Sequence, residues 1–192
     1  TFRGGNGADY KLESFKSGLR ENMVPGTADA VVTAASADEA ASLAASFETF
    51  IKQEAKISGN AELSDKTVTF HVVGKGAHGA SPQSGINAAT FLATFLNDYS
   101  FAEGAHSFIN TIAEFIHEDF YGEKLGVAFE DEKMGKLTMN AGIVNFDPEN
   151  PENSLVTLNF RYPKGTSAEE LQAKVQATVG ETVTATQGDR NQ

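Results

Sequence analysis

The segment between residues 66 and 98 constrains the fold of this chain more than any other. Its first part, residues 66–73 (K-T-V-T-F-H-V-V), is rich in β-branched residues and alternates, which is typical of a half-buried strand. A loop with glycines at positions 74, 76 and 79 follows, and apolar residues then recur at helical spacing over about 85–98. The segment therefore predicts a strand, a tight loop and a helix packed on one sheet.

Strand and helix patterns alternate along the rest of the chain. Strands are predicted at residues 10–17, 28–34, 136–146, 154–162 and 181–187, with a short one at 126–129, and helices at about 36–56, 104–117 and 166–180. The first helix begins with Ser36 and Glu39, the capping-box pattern. Residues 22–26 predict a turn, and the glycine-rich residues 1–9 an irregular start.

The order of these elements predicts the fold class. From Lys66 onward it is β-α-(extra helix)-β-β-α-β, which is the ferredoxin-like order with a helical insertion. Strands with helices on one face form a two-layer α/β sandwich, so we expect an α+β fold. The N-terminal part adds a strand-helix-strand half-unit, which either extends the sheet or forms a second half-unit beside it.

Composition narrows the function classes. The chain has 192 residues, 40% of them hydrophobic, which is enough for a core. Its net charge of −11 argues against nucleic acid or an anionic membrane as a partner. The absence of cysteine excludes disulfides and thiolate zinc sites and fits a cytoplasmic protein. No apolar run approaches the ~20 residues of a membrane span. The chain opens without Met and ends in a polar tail, so we expect a piece of a longer protein.

His78 is the best candidate for chemistry. It lies in the glycine-rich loop between the predicted strand and helix, where glycine lets the backbone approach a ligand closely. A histidine in that place could donate a hydrogen bond to a developing oxyanion. It could equally be a solvated loop residue, and the loop alone does not decide between the two interpretations.

Arg161 is the second candidate, because an arginine among apolar strand residues needs a partner when it is buried. A carboxylate bound bidentately is the natural one, either internal, which we prefer, or on a substrate. His71 and His106 are interpreted as strand and surface residues. The adjacent residues 117–119 (H-E-D) do not converge on one point and are interpreted as structural. No spacing of a two-metal site is present.

Four stretches of the chain resemble a known family. Residues 74–92 (G-K-G-A-H-G-A-S-P-Q-S-G-I-N-A-A-T-F-L) resemble the lid or dimerisation domain of M20-family zinc metallopeptidases, with its His-(small)-x-x-Pro-x-x-Gly-x-Asn-Ala pattern. Residues 22–25 (N-M-V-P) look like the Asn-x-Val-Pro turn of that family. Residues 117–122 with 124–126, and 159–163 with 165–166, look like the lid of its PepV-like bacterial dipeptidases. The resemblance extends over nearly the whole chain.

The resemblance implies a role for each matching residue. In such enzymes a catalytic domain flanks the lid in sequence and binds two zinc ions, and a glutamate acts as general base on the water between them. None of these ligands is recognised here, so the chain itself is expected to bind no metal. The residue matching His78 stabilises the oxyanion, and those matching Asn22 and Arg161 hold the C-terminal carboxylate of a short peptide. Gly79, Ala80 and Asn87 match as supporting residues.

The same resemblance suggests the domain organisation and the partners. Residues 1–65 would replace the half contributed by a second protomer in dimeric relatives, and 66–192 would be the ferredoxin-like unit with an insertion at 99–135. We therefore expect a monomeric dipeptidase whose lid, inactive alone, pairs with the catalytic domain of the same chain and a dipeptide substrate. The alternative is a free-standing ferredoxin-like dimerisation or regulatory module in which His78 and Arg161 bind a small anion.

Overall fold

The computed structural model describes residues 9–188, apart from the side chain of Glu103. The strands in this range are β1 (Tyr10–Ser17), β2 (Met23–Val24), β3 (Thr27–Ala34), β4 (Ser58–Ser64), β5 (Thr67–Val73), β6 (Ala77–His78), β7 (Glu130–Asp131), β8 (Gly135–Lys136), β9 (Thr138–Phe146) and β10 (Leu155–Arg161). The helices are α1 (Ala37–Gln53), α2 (Ala88–Leu96), α3 (Glu103–Phe115) and α4 (Ala168–Val179). Within these residues, no helix is long and apolar enough to cross a membrane.

Six of the strands form one antiparallel sheet in the order β10-β9-β1-β3-β5-β4. The predicted α+β class and two-layer α/β sandwich are confirmed. The strand order adds a feature that the sequence did not predict: β1 and β3 lie between β5 and β9. Of the N-terminal part, β1 and β3 therefore lie at the centre of the sheet and β4 at an edge, whereas we expected this part to extend the sheet or to lie beside it.

The helices α1, α2 and α3 pack on one face of this sheet through aromatic contacts. The ring of Phe47 in α1 lies 4.8 Å from that of Phe70 in β5 and 5.2 Å from that of Phe95 in α2, centre to centre. Phe108 in α3 contacts both Phe15 in β1 and Phe146 in β9. Buried aromatic pairs of this kind contribute beyond their apolar area, so they help to fix the helices on the sheet.

The predicted start of α1 is confirmed, because the Ser36 hydroxyl accepts from the Glu39 amide at 3.2 Å. The helix ends at Gln53, three residues before its predicted end. The sequence missed β4 because its residues, S-G-N-A-E-L-S, lack apolar alternation. This strand forms because it pairs with β5 along its whole length, from Ser58 opposite Val73 to Ser64 opposite Thr67.

The prediction of a closing strand at residues 181–187 is wrong. After α4 the chain turns at Gly180, whose φ of +79° favours glycine, and runs back along the helix. The Gln176 side chain donates to the Val183 carbonyl and accepts from the Ala185 amide, both at 2.8 Å. These backbone groups are therefore satisfied by an amide side chain, and β10 pairs only with β9 in the described part of the chain.

Smaller differences between the predicted and the observed structure occur in the segments that connect the main helices and strands. The strand predicted at residues 126–129 does not form, and the hairpin of β7 and β8 follows it instead. The turn predicted at 22–26 contains β2, which pairs with β6. Of the irregular start predicted for residues 1–9, residues 1–8 lie outside the described residues.

Candidate functional site

The three residues predicted from the sequence lie toward one end of the sheet. Asn22 lies in the turn between β1 and β2, and His78 ends the short strand that follows β5. Arg161 is the last residue of β10. The first residues of β9 extend beyond the end of β1, whose Ser17 pairs with Val144, and the turn around Asn22 fills the vacated position beside β9.

The backbones of Asn22 and His78 are joined directly. Met23 pairs with His78 in the two-stranded sheet, and the Gly79 amide donates to the Asn22 carbonyl at 2.7 Å. A Cβ atom at Gly79 would lie 2.8 Å from that carbonyl oxygen, so the close approach requires glycine. The side chains of Asn22 and His78 are nevertheless both exposed.

The loop that carries His78 is fixed at several points. Lys75 and Ile86 exchange two backbone hydrogen bonds, of 2.9 and 2.8 Å, across the loop. The Gly74 amide donates to the Gly26 carbonyl at 2.8 Å, and the Ala88 amide donates to the Pro25 carbonyl at 3.1 Å. The loop and the turn therefore form one hydrogen-bonded unit, which limits the positions that its exposed side chains can take.

The hydrogen bonding of the His78 ring determines which nitrogen can donate. Its Nδ1 atom accepts a hydrogen bond from the Ala80 amide at 3.0 Å. Because an accepting nitrogen carries no proton, the neutral ring has its proton on Nε2. The exposed imidazole therefore presents an N–H donor at Nε2.

Asn87, a supporting residue in the sequence analysis, connects α2 to β9. Its Oδ1 atom accepts from the Ala89 amide at 3.0 Å and so caps the helix, and its Nδ2 atom donates to the Ala141 carbonyl at 3.0 Å. Helix α2 begins at Ala88, three residues later than predicted, because Asn87 is its N-cap.

Asn140 is a residue of this region that the sequence analysis missed. It is 3% exposed, and its Nδ2 atom donates to the carbonyls of Glu21 at 3.1 Å and Met23 at 2.9 Å. The sequence did contain a signal for Asn140, since its carboxamide interrupts the largely apolar run T-M-N-A-G-I-V. A polar side chain that is buried in such a strand needs a hydrogen-bond partner.

Arg161 has an exposed position and no internal carboxylate partner among residues 9–188, where none lies within 4.0 Å of it. The preferred interpretation, an internal carboxylate, is therefore wrong for this part of the chain. Arg161 pairs with Thr138 across the strands, and Asn159, two residues before it, pairs with Asn140. Thr138 Oγ1 and Asn159 Oδ1 are buried polar atoms without a hydrogen-bond partner in the described range.

Two of the other three histidines, His71 and His117, contact neighbouring side chains. His71 Nδ1 lies 2.7 Å from Asp29 Oδ1, and both side chains are partly exposed. His117 Nδ1 lies 2.9 Å from the Thr90 hydroxyl, and burial lowers the pKa of its imidazole. His106 lies partly exposed on α3.

The residues after His117 also have separate partners. The buried Asp119 carboxylate accepts hydrogen bonds from the amides of Tyr121, Glu123 and Lys124, at 3.2, 3.2 and 2.7 Å. Glu118 forms a 2.8 Å ion pair with Lys56, and the hydrogen bond to Lys56 holds the pKa of the Glu118 carboxyl below its usual value. The contacts agree with the structural interpretation of residues 117–119.

The described residues do not fit the zinc pair that the resemblance implies. Within residues 9–188, no three His, Cys, Asp or Glu side chains are grouped so that they could hold a metal ion. A groove of about 1790 Å³ lies mainly between α3, α4 and β10 and is lined by apolar side chains such as Phe108, Leu171 and Val175. Asn22 reaches its edge, but His78 and Arg161 do not line it. Neither this groove nor the small cavity next to Asn87 and Asn140 is lined by all three predicted residues.

Comparison with known proteins places this arrangement in a family. A Beta-Ala-Xaa dipeptidase of Lactobacillus delbrueckii subsp. lactis is 37% identical over 163 residues, which are 85% of this chain and 33% of that protein. A protein named "Putative dipeptidase" of Staphylococcus haemolyticus is 33% identical over 84% of this chain and 34% of its own length. A protein of the same printed name in Staphylococcus aureus (strain MW2) is 34% identical over 82% and 32%. The chain thus spans about a third of the length of these relatives.

The family model of the M20 peptidase dimerisation domain matches residues 64–186. This range contains the His78 loop, helices α2 to α4 and the strands β9 and β10. The chain therefore belongs to the M20 peptidase dimerisation domain family.

Proposed function

We propose that this chain is the substrate-capping lid of a PepV-like dipeptidase with two zinc ions. The observation that carries the proposal is the hydrogen-bonded unit that presents Asn22 and His78 side by side with exposed side chains. The relatives named as dipeptidases support the reaction, peptide hydrolysis. The two zinc ions would be held by a catalytic domain elsewhere in the same protein, because residues 9–188 offer no ligand group for them.

His78 would stabilise the oxyanion that forms when the scissile carbonyl becomes tetrahedral. Its Nε2 donor is held in the required tautomer by the Ala80 amide at Nδ1, so no tautomer exchange is needed when charge develops. An N–H donor on a fixed backbone contributes because it is already oriented when the negative charge appears.

Arg161 and Asn22 would hold the C-terminal carboxylate of the substrate. Arginine binds carboxylates bidentately, and Arg161 has no competing carboxylate within 4.0 Å among the described residues. A carboxylate anchor at a fixed distance from the oxyanion donor admits a dipeptide and excludes longer chains. With this geometry the lid would select substrates by their length.

The proposal includes a domain organisation. Residues 1–65 would replace the half that a second protomer supplies in dimeric relatives, and residues 66–192 would be the ferredoxin-like unit with its insertion at 99–135. The central position of β1 and β3 in the sheet supports a single covalent unit, and thus a monomeric parent enzyme. The location we propose for the enzyme is the cytoplasm, with which the absence of cysteine from this 192-residue chain is compatible.

The test is dipeptide hydrolysis by the full-length protein with zinc. His78→Ala is expected to lower kcat by about 10²–10³-fold, the usual loss for an oxyanion donor. His106→Ala, on α3, is the matched control and should keep wild-type kcat. A near-normal kcat in His78→Ala would remove this residue from the mechanism, and hydrolysis by the 192-residue chain alone would contradict its role as a lid.

A free dimerisation module is the second candidate, and the exposed edge strand β4 is the observation that favours it. In the described residues β4 pairs only with β5, and its Leu63 is 49% exposed. Unpaired strand edges are surfaces on which a second chain can add. Light scattering on the full-length protein distinguishes the two candidates, since a dimer broken by Leu63→Lys would favour the module.

A further inference from the structure

We propose that Asn140 is a positioning residue that holds the oxyanion donor and the carboxylate anchor of this lid in one register. The inference rests on the proposed function for the roles of His78, Asn22 and Arg161. The hydrogen bonds that carry it belong to residues outside the predicted site.

The Asn140 carboxamide connects β9 to the turn that carries Asn22. Its Nδ2 atom donates to the carbonyls of Glu21 and Met23, which are the residues directly before and after Asn22. Both hydrogens of one NH₂ group are therefore used on the two sides of the same residue. Because Asn140 is only 3% exposed, water has little access to replace either bond.

The same carboxamide adjoins the His78 loop. Gly79 donates to the Asn22 carbonyl, and a Cβ atom at Gly79 would lie 3.2 Å from Asn140 Nδ2. Asn140 thus lies against the point where the turn and the loop meet. A displacement of its side chain would move both backbones together, because Met23 pairs with His78.

Asn140 also fixes this unit relative to Arg161. In the register of β9 and β10, Asn140 pairs with Asn159, and Thr138 pairs with Arg161 two residues further along. The distance between the strand that carries Arg161 and the turn that carries Asn22 is therefore set through β9 at Asn140. No other described side chain donates hydrogen bonds to both carbonyls that flank Asn22.

The inference is tested with Asn140→Leu and Asn140→Asp in the full-length protein. Leucine keeps the approximate shape and removes the donors, and aspartate places a second acceptor against two carbonyl oxygens. The matched control is Asn145→Leu on the same strand, because Asn145 Nδ2 donates to the Asn153 carbonyl at 2.7 Å, away from His78. If aspartate prevents folding, leucine still provides the test.

Two readouts are needed, hydrogen exchange by mass spectrometry and steady-state kinetics. We expect Asn140→Leu to speed exchange in peptides containing residues 21–26 and 77–81 about tenfold, with peptides of α1 and β4 unchanged. We also expect kcat/KM for a dipeptide to fall about tenfold or more, and Asn145→Leu to change neither quantity.

The outcomes separate this inference from the proposed function. Unchanged exchange at residues 21–26 and 77–81 would overturn the inference directly. Faster exchange with wild-type kcat/KM, in a protein where His78→Ala does abolish turnover, would overturn the positioning role and leave the proposed function intact. If His78→Ala also keeps its kcat, the proposed function fails, and a catalytic positioning role for Asn140 fails with it.

Discussion

The loops around His78 and His117 both carry a histidine, but they differ in which groups form the hydrogen bonds. Around His78 the hydrogen bonds are made by the backbone, and the imidazole remains exposed with Nε2 as a donor. Around His117 the side chains make the bonds: the imidazole contacts the Thr90 hydroxyl, and the Asp119 carboxylate accepts three amides. A fixed backbone with free side chains suits a site that acts on a ligand, whereas buried and satisfied side chains stabilise the fold.

The comparison is tested most strongly at Asp119. Asp119→Ala removes a buried carboxylate that accepts hydrogen bonds from three amides, so the free energy of unfolding should fall by about 3 kcal/mol. His78→Ala, in contrast, removes an exposed ring and should change it by no more than about 0.5 kcal/mol. Urea denaturation of the 192-residue chain measures both. Equal stability losses in the two variants would contradict the division between the loops.

Two exposed cations extend the comparison to substrate binding. Arg161 has no carboxylate partner within 4.0 Å in residues 9–188, whereas Lys56 is paired with Glu118 at 2.8 Å. Arg161→Gln should raise KM for a dipeptide by about 10–100-fold, because it removes a charged hydrogen-bonding partner of the substrate carboxylate. The control Lys56→Gln should leave KM unchanged. A KM that responds equally to both changes would indicate a general charge effect.

The smallest expected effect concerns pH and the His117 loop. Burial lowers the pKa of the His117 imidazole in the folded protein, an effect that Glu118 partly opposes. The unfolded chain therefore binds a proton more readily than the folded chain, and stability is lost as pH falls from about 7 toward 5. In His117→Gln this loss should be smaller, as measured by denaturation at several pH values. An identical pH dependence in both proteins would show that His117 does not contribute.

Much of the fold could be predicted from local patterns. The strand β5, the Ser36 cap and the apolar face of α2 were all found because each has a periodicity or capping signal of its own. Strand β4 has no such signal and forms through its pairing with β5. The segment 181–187 has β-branched residues but bonds to glutamines of α4, a tertiary choice that strand propensity does not reveal.

The candidate site likewise contains some residues that the sequence could identify and others whose role depends on tertiary contacts. His78 and Arg161 were selected by their positions in a glycine-rich loop and an apolar strand, which left the alternatives open. The resemblance to a family pattern then assigned roles to both and added Asn22. The absence of an internal partner for Arg161 in residues 9–188 depends on which strands are neighbours, which no local pattern contains. Asn140 was missed because its importance lies in contacts with residues 117 and 119 positions away in sequence.

In the proposed function, His78 acts on the transition state and not on the bound substrate. The most direct measurement is the affinity of the full-length protein for a phosphinic dipeptide analogue, whose tetrahedral oxygen mimics the oxyanion, in wild type and in His78→Ala. If His78 stabilises the oxyanion, the substitution weakens binding of this analogue by about 10²–10³-fold while the KM of the dipeptide changes little. Equal affinity of the two proteins for the analogue would contradict this role of His78.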